Sequence, residues 1–240
     1  MRIIRNEKLI KRNGKIGQWS SLAGLAVLAG GFYLSIRQPE RFGLTLAALL
    51  VGFLFTQLSS HFATRFGRSP RPDERLDTGL KGLPGDFVLY HYATPASHLL
   101  VGPAGIWVLL PYHLRGTVTL KNNRWRLSGG GFLQSYLRIF GQQGLGNPSA
   151  TAAAEVGATE KYLERKLPGV KRPETGALVV FTEEDIELDV ETGPVQVLKV
   201  RQLKEFMRRE AKDRRPSGME LSALMAALGP EQGRPTSSPT

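Results

Sequence analysis

Two stretches without Asp, Glu, Lys or Arg, 16–36 and 42–63, constrain this chain more than any other feature. At about 1.5 Å of rise per residue, 21 helical residues cover roughly 31 Å, the thickness of a bilayer's hydrocarbon core. Arg37-Gln38-Pro39-Glu40-Arg41 joins them. Pro39 cannot continue a helix, and so short a link forces the two spans to be antiparallel neighbours. Trp19 near one end of the first run, with Phe62 and Phe66 beyond the second, fits the interfacial preference of aromatic rings. Small residues (Ala23, Gly24, Ala26, Ala29, Gly30, Gly31) allow close helix contact, within this hairpin or between chains in a homo-oligomer. A cleaved signal peptide does not fit, because the apolar run is about twice the usual length and a second follows at once. The remaining rival is a helical hairpin buried in the core of a soluble protein.

The formal charge of +11 invites a nucleic-acid reading until it is located. Residues 1–68 hold ten Lys and Arg against Glu7 and Glu40, a net +8, whereas 69–240 nets only +3. The excess therefore flanks the apolar runs, where a membrane surface explains it better than DNA does. Six basic residues precede the first run, Arg65, Arg68, Arg71 and Arg75 follow the second, and only Arg37 and Arg41 lie between. The positive-inside rule then predicts an integral membrane protein anchored in the bilayer through 16–66, with both termini and the soluble domain in the cytoplasm. The chain has no cysteine, so disulfides and thiolate chemistry do not enter.

The expected organisation is a basic N-terminus (1–15), a two-helix transmembrane hairpin (16–66), a Pro-bearing linker (67–72), an α/β domain with a mixed sheet (73–215), and a short helix with a disordered tail (216–240). Asp73 is placed to cap a brief helix carrying Leu76, Leu80 and Leu83. The centre of the domain is Ser97-His98-Leu99-Leu100-Val101-Gly102-Pro103-Ala104-Gly105-Ile106-Trp107-Val108-Leu109-Leu110, two apolar strands folded back at a Gly-Pro-Ala-Gly turn. Phe87–Tyr92 reads as a strand before it, and 117–127 as a hairpin whose Asn122-Asn123 tolerates positive φ. Phe132, Leu133, Tyr136, Leu137 and Phe140 form one face of a short helix, packed on the domain or lying on the bilayer. Pro148 opens a helix to Leu167; 177–182 and 195–200 are strands around an acidic excursion; 202–214 and 219–228 are helices.

These pieces, in this order, resemble the nuclease-related domain (NERD) family over roughly 73–207. The matching residues are 98–108 with their Gly102-Pro103-Ala104-Gly105 turn, Arg115-Gly116, Trp125, Asn147-Pro148 and Val179-Val180-Phe181-Thr182. The resemblance implies a restriction-endonuclease-like fold and, in typical members, an Asp before the hairpin His and a Glu-x-Lys after the second strand. There the acids hold a divalent metal and the Lys helps to activate water. In this chain those positions are Ser97, Leu110 and Tyr112, and from Gly79 through Ala154 the only acidic residue is Asp86. A hard cation needs carboxylate oxygens. The resemblance therefore implies a degenerate member: a non-catalytic binding or scaffold module without a cofactor or metal. The alternatives are a Mg²⁺-dependent nuclease acting on DNA or RNA through a non-standard site, with Asp73, Asp86 and His98 as its candidate residues, or nucleic-acid binding without cleavage.

Other constellations carry bland readings beside sharp ones. His91, His98 and His113 invite a metal, but no helical spacing brings them together, and hydrogen-bonded histidines are the simpler account. Ser97, His98 and Asp86 are the types of a catalytic triad without an elbow or oxyanion loop. Gly141–Pro148 is glycine-rich before a helix but lacks the Gly-Lys-Ser/Thr ending of a phosphate loop. Lys204, Arg208, Arg209 and Lys212 make a basic helix face, either simply solvated or in contact with anionic lipid or nucleic acid. The identity of a protein partner is not written in the sequence.

Overall fold

The computed structural model describes residues 1–67, 69–122, 124–129, 144–170, 172–191, 193, 195–214 and 218–228. The apolar-striped segment around 132–140, Gly141 of the glycine-rich run, Arg215 and the tail from 229 lie outside the described residues. Two compact units divide the chain: Met1–Asn6 with Arg75–Gly129 and Leu145–Thr240, and Glu7–Glu74 with Gly130–Gly144.

The first unit is mixed α/β. Its main sheet has six strands in the order β1-β2-β3-β4-β7-β9. These are β1 (Arg2–Arg5), β2 (Val88–His91), β3 (His98–Gly102), β4 (Gly105–Tyr112), β7 (Thr175–Phe181) and β9 (Gln196–Lys199). All run parallel except β3, which is antiparallel to both neighbours. The central hairpin forms as its apolar run requires, with Gly102 opposite Gly105 across Pro103-Ala104. Gly105 takes φ 98°, which a side chain would resist. Being buried on both faces, β3 and β4 show no polar alternation. A second sheet joins β5 (Thr117–Lys121), β6 (Arg124–Ser128) and β8 (Glu187–Val190) in the order β6-β5-β8. Asn122 takes φ 51° at the β5–β6 turn, as its amide side chain allows.

Helices cover both faces of the main sheet. Leu76 and Leu80 of α3 (Pro72–Leu80) and Leu203, Phe206 and Met207 of a basic helix, α5 (Val200–Arg214), pack with Leu89, Leu100, Trp107, Leu109, Leu178 and Val180. Ala152 and Leu163 of α4 (Pro148–Lys166), with Leu224 and Leu228 at the last helix, α6 (Gly218–Ala227), pack with Tyr90, Leu99, Val108, Leu110 and Val179 on the other face. The final helix thus belongs to this core rather than to a separate tail. Asn147 caps α4, its side chain accepting from the Ala150 N–H at 3.1 Å.

Three local expectations are revised. Arg2–Arg5, set apart by charge as a membrane flank, is the edge strand β1, whose Ile3 and Ile4 register with Leu89 and Tyr90 across the parallel pair. Alternation makes the acidic excursion a strand, with Leu188 and Val190 half-buried. Asp73 is not the cap of α3. It ion-pairs with Arg71 at 3.1 Å, while Glu74 accepts the Arg71 N–H at 2.9 Å.

The second unit is a helical hairpin: α1 (Glu7–Arg37), one 3₁₀ turn, Pro39–Arg41, and α2 (Phe42–Phe62), followed by a π turn, Ala63–Gly67. Both long helices are long and apolar enough to cross a membrane. Gly17, Gly24 and Gly31, seven residues apart, let the backbones meet: a Cβ added to them would lie 3.0, 3.1 and 2.7 Å from the Cβ of Phe62, Phe55 and Ala48. Partner numbers fall by seven as glycine numbers rise by seven, the register of an antiparallel pair. The Ser59 hydroxyl donates to the Gly17 carbonyl at 2.9 Å across the same seam. Outward-facing apolar side chains stay uncovered, Trp19 at 70%, Phe32 at 69% and Phe42 at 71% exposure. The hairpin is therefore not buried as the core hairpin of a soluble fold would be.

Candidate functional site

Ligands of open α/β sheets bind beyond the carboxyl ends of the parallel strands. In this molecule that edge gathers the ends of β1, β2, β4 and β7, the start of β3, and α3 above one face. Successive side chains of an extended strand alternate in direction, so neighbouring residues divide between the two faces.

On the α4 face, the Ser97 hydroxyl donates to Glu155 Oε1 at 3.0 Å, and the Ser97 N–H points to Oε2 at 3.2 Å. Leu110 is buried beside it in sequence register, in the same apolar cluster as Leu99 and Val179. Tyr112 lies at the end of β4 with its ring 5.9 Å from that of Phe181. Ser97, Leu110 and Tyr112 therefore lie at one end of the central hairpin. Glu155 accepts two hydrogen bonds from Ser97, and the Leu110 side chain has no atom that could hold a hard cation. Among the described residues no group of three or more His, Asp or Glu side chains is arranged to hold a metal.

On the opposite face lies a buried polar chain. His91 and His98, side by side across the β2–β3 pair, approach Nδ1 to Nδ1 at 2.8 Å. His91 Nε2 donates to Asp77 Oδ1 at 3.0 Å, and Arg5 of β1 ion-pairs with the same carboxylate. Because His91 Nε2 carries its proton toward Asp77, its Nδ1 accepts from the Nδ1–H of His98. Tyr92 packs its ring 4.9 Å from His98. The chain ties β1, β2, β3 and α3 together.

Where β4 and β7 end, His113 forms a third cluster. Its Nδ1 lies 3.0 Å from Glu183 Oε2, and Arg75 Nη1 approaches both ring nitrogens. Arg115 closes on the same carboxylate at 2.6 Å. Burial first, then Arg75, hold His113 below the ordinary imidazole value. Burial also lowers Arg75.

The residues singled out by sequence thus separate. Ser97 and His98 turn to opposite faces, and Asp86 is exposed in the turn before β2, about 16 Å along the strand from His91. Ser97, His98 and Asp86 therefore do not assemble as a triad. The three histidines divide into a buried pair and a half-exposed bridge, so they do not converge on one point. Asp73 is fully buried against Arg71 in the first turn of α3. Arg208, Arg209 and Lys212 are exposed on α5 and Lys204 is half-buried. Arg208 reaches the Gly82 carbonyl at 3.2 Å, and Arg209 lies over the Phe206 ring. Asp77, Glu155 and Glu183 are the acids that sequence reasoning missed. Glu155 stands one residue past the acid-poor interval 79–154, and its helix phase relative to Asn147-Pro148 is the one signal that points it inward.

No family model, no curated protein and no solved structure matches the chain.

Proposed function

We propose that this chain is a membrane-anchored cytoplasmic domain of degenerate nuclease type, restriction-endonuclease-like in fold, that serves as a binding or scaffold module rather than as a hydrolase. One observation carries the reading: Ser97, Leu110 and Tyr112 meet at one end of the central hairpin, and they supply a hydroxyl committed to Glu155, an alkyl group and a phenol. Water activation on a phosphodiester needs carboxylate-held metal or a free base, and neither is offered by this set. The order of strands and helices from α3 to α5 supports the family assignment. The exposed apolar faces of α1 and α2 support the anchor, and the basic flanks support its orientation.

β1 belongs to the main sheet, so a fragment starting at residue 70 would lack an edge strand; the test needs the full chain. Purified in mild detergent and incubated with Mg²⁺ or Mn²⁺, it is expected to leave plasmid and single-stranded DNA and RNA intact. Metal-dependent cleavage that disappears in Glu155→Gln, Asp86→Asn or Asp73→Asn would instead establish a nuclease with a non-standard site.

A further inference from the structure

We infer that the basic end of the helical hairpin holds an anionic phospholipid, gripped by Arg12 and Lys15 at its phosphate and by an apolar groove along its acyl chain. The inference rests on the membrane-spanning reading of α1 and α2 and goes beyond it by assigning a specific ligand site. The groove, of about 590 Å³, is lined by Arg12, Lys15, Ile16, Trp19, Ala23 and Phe55, with Ser20 at its floor. The α1 residues recur at three- and four-residue spacing and therefore share one helix face. Phe55 comes from α2, where it packs on Gly24.

Charge and apolarity are segregated along this groove as they are along a lipid. Arg12 and Lys15 stand at one end, both exposed, and among the described residues neither is paired with a carboxylate. Below them every lining side chain but Ser20 is apolar or aromatic. Arg12 to Ala23 spans eleven residues, about 16 Å, close to half of a ~30 Å hydrocarbon core. The groove thus matches one leaflet, with the cations at headgroup level and Trp19 between, where indoles sit best. A guanidinium and an ammonium match the phosphodiester oxygens of a headgroup. A choline headgroup would bring its own cation toward Arg12 and Lys15, so a net-anionic lipid such as phosphatidylglycerol is the ligand this site favours.

The test is native mass spectrometry of the full chain, released from detergent with equal amounts of phosphatidylglycerol and phosphatidylcholine of the same acyl chains. Wild type is expected to retain phosphatidylglycerol about tenfold better, as two lipid-facing cations imply. Arg12→Gln with Lys15→Gln should abolish that preference, and Arg37→Gln with Arg41→Gln, the same charge removed at the other end, should leave it. Equal retention of both lipids, or an equal loss in both double variants, would overturn the site. Alkaline carbonate extraction of the membranes from which the full chain is purified separates the two failures. A chain that stays in the membrane without lipid preference removes the lipid site alone, whereas a chain that is released removes the membrane-spanning reading and the site with it.

Discussion

His113 is where a single proton has the clearest consequence in this molecule. The ring stands between the Glu183 carboxylate and the Arg75 guanidinium, which approaches both of its nitrogens, and a second proton would set a cation against that guanidinium. Burial and Arg75 set its folded value below the ordinary 6.5. Below about pH 6.5 the unfolded chain therefore binds this proton more readily than the folded one. The contribution is complete above that value and is lost as pH falls through the folded value. Unfolding midpoints of the full chain in detergent should drop between pH 7.5 and 5.5, and His113→Gln should shrink the drop, because a glutamine amide can donate to Glu183 and accept from Arg75 at either pH. An unchanged pH slope in that variant would count against the bridge. The same scale explains what the sequence could and could not tell about the site. Ser97, Leu110 and Tyr112 were readable because a tight turn fixes the register of the arms that carry them. Glu155 reaches Ser97 from 58 residues away, and no local pattern encodes such a contact.

Among the elements, the hairpin depends on contacts that a hydropathy profile does not distinguish. Gly24 and Gly30 both lie in the apolar half of α1, yet a Cβ on Gly24 would come within 3.1 Å of Phe55 and one on Gly30 would meet nothing within 4 Å. Gly24→Leu should therefore lower the stability of the helix pair by about 1–3 kcal/mol through overpacking. Gly30→Leu should cost far less, or stabilise α1 slightly by removing a helix-interior glycine. Thermal unfolding followed by helical circular dichroism in detergent checks this; equal effects would mean that the seam is elsewhere. Sequence patterns located most elements because they are long: the run of α4 from its Pro148 opening, the unbroken apolar arms of β3 and β4, the uncharged runs of α1 and α2. They missed β1 because four residues, Arg2-Ile3-Ile4-Arg5, carry too little alternation to outweigh the charges around them. The Asp73 cap failed for a related reason, since Pro72 moved the helix start one residue earlier and left Glu74 as the acceptor for Arg71.

For the whole molecule, chain order and sheet order disagree in an informative way. β1 pairs with β2, yet the entire α1–α2 hairpin lies between them in sequence. If α1 and α2 cross a bilayer, as proposed, a chain that leaves β1 at Glu7 and pairs it with residues 88–91 afterward requires an even number of crossings, whatever the orientation. The Arg5–Asp77 ion pair brings the two ends of the insertion together on the sheet side. Deleting α2 alone should therefore place Arg2–Arg5 and Val88–His91 on opposite sides of the bilayer, strip the sheet of its edge strand and leave Asp77 and His91 without Arg5. Deleting both helices and joining Asn6 to Arg75 through about eight Gly/Ser residues should restore the pairing, because the ends already lie within reach of such a linker. The expected result is that limited proteolysis degrades the single-helix variant and spares the sheet domain of the double deletion, which partitions to the soluble fraction. Equal resistance of the two variants would mean that β1 does not contribute to the folded domain, and the even-crossing argument would fall with it.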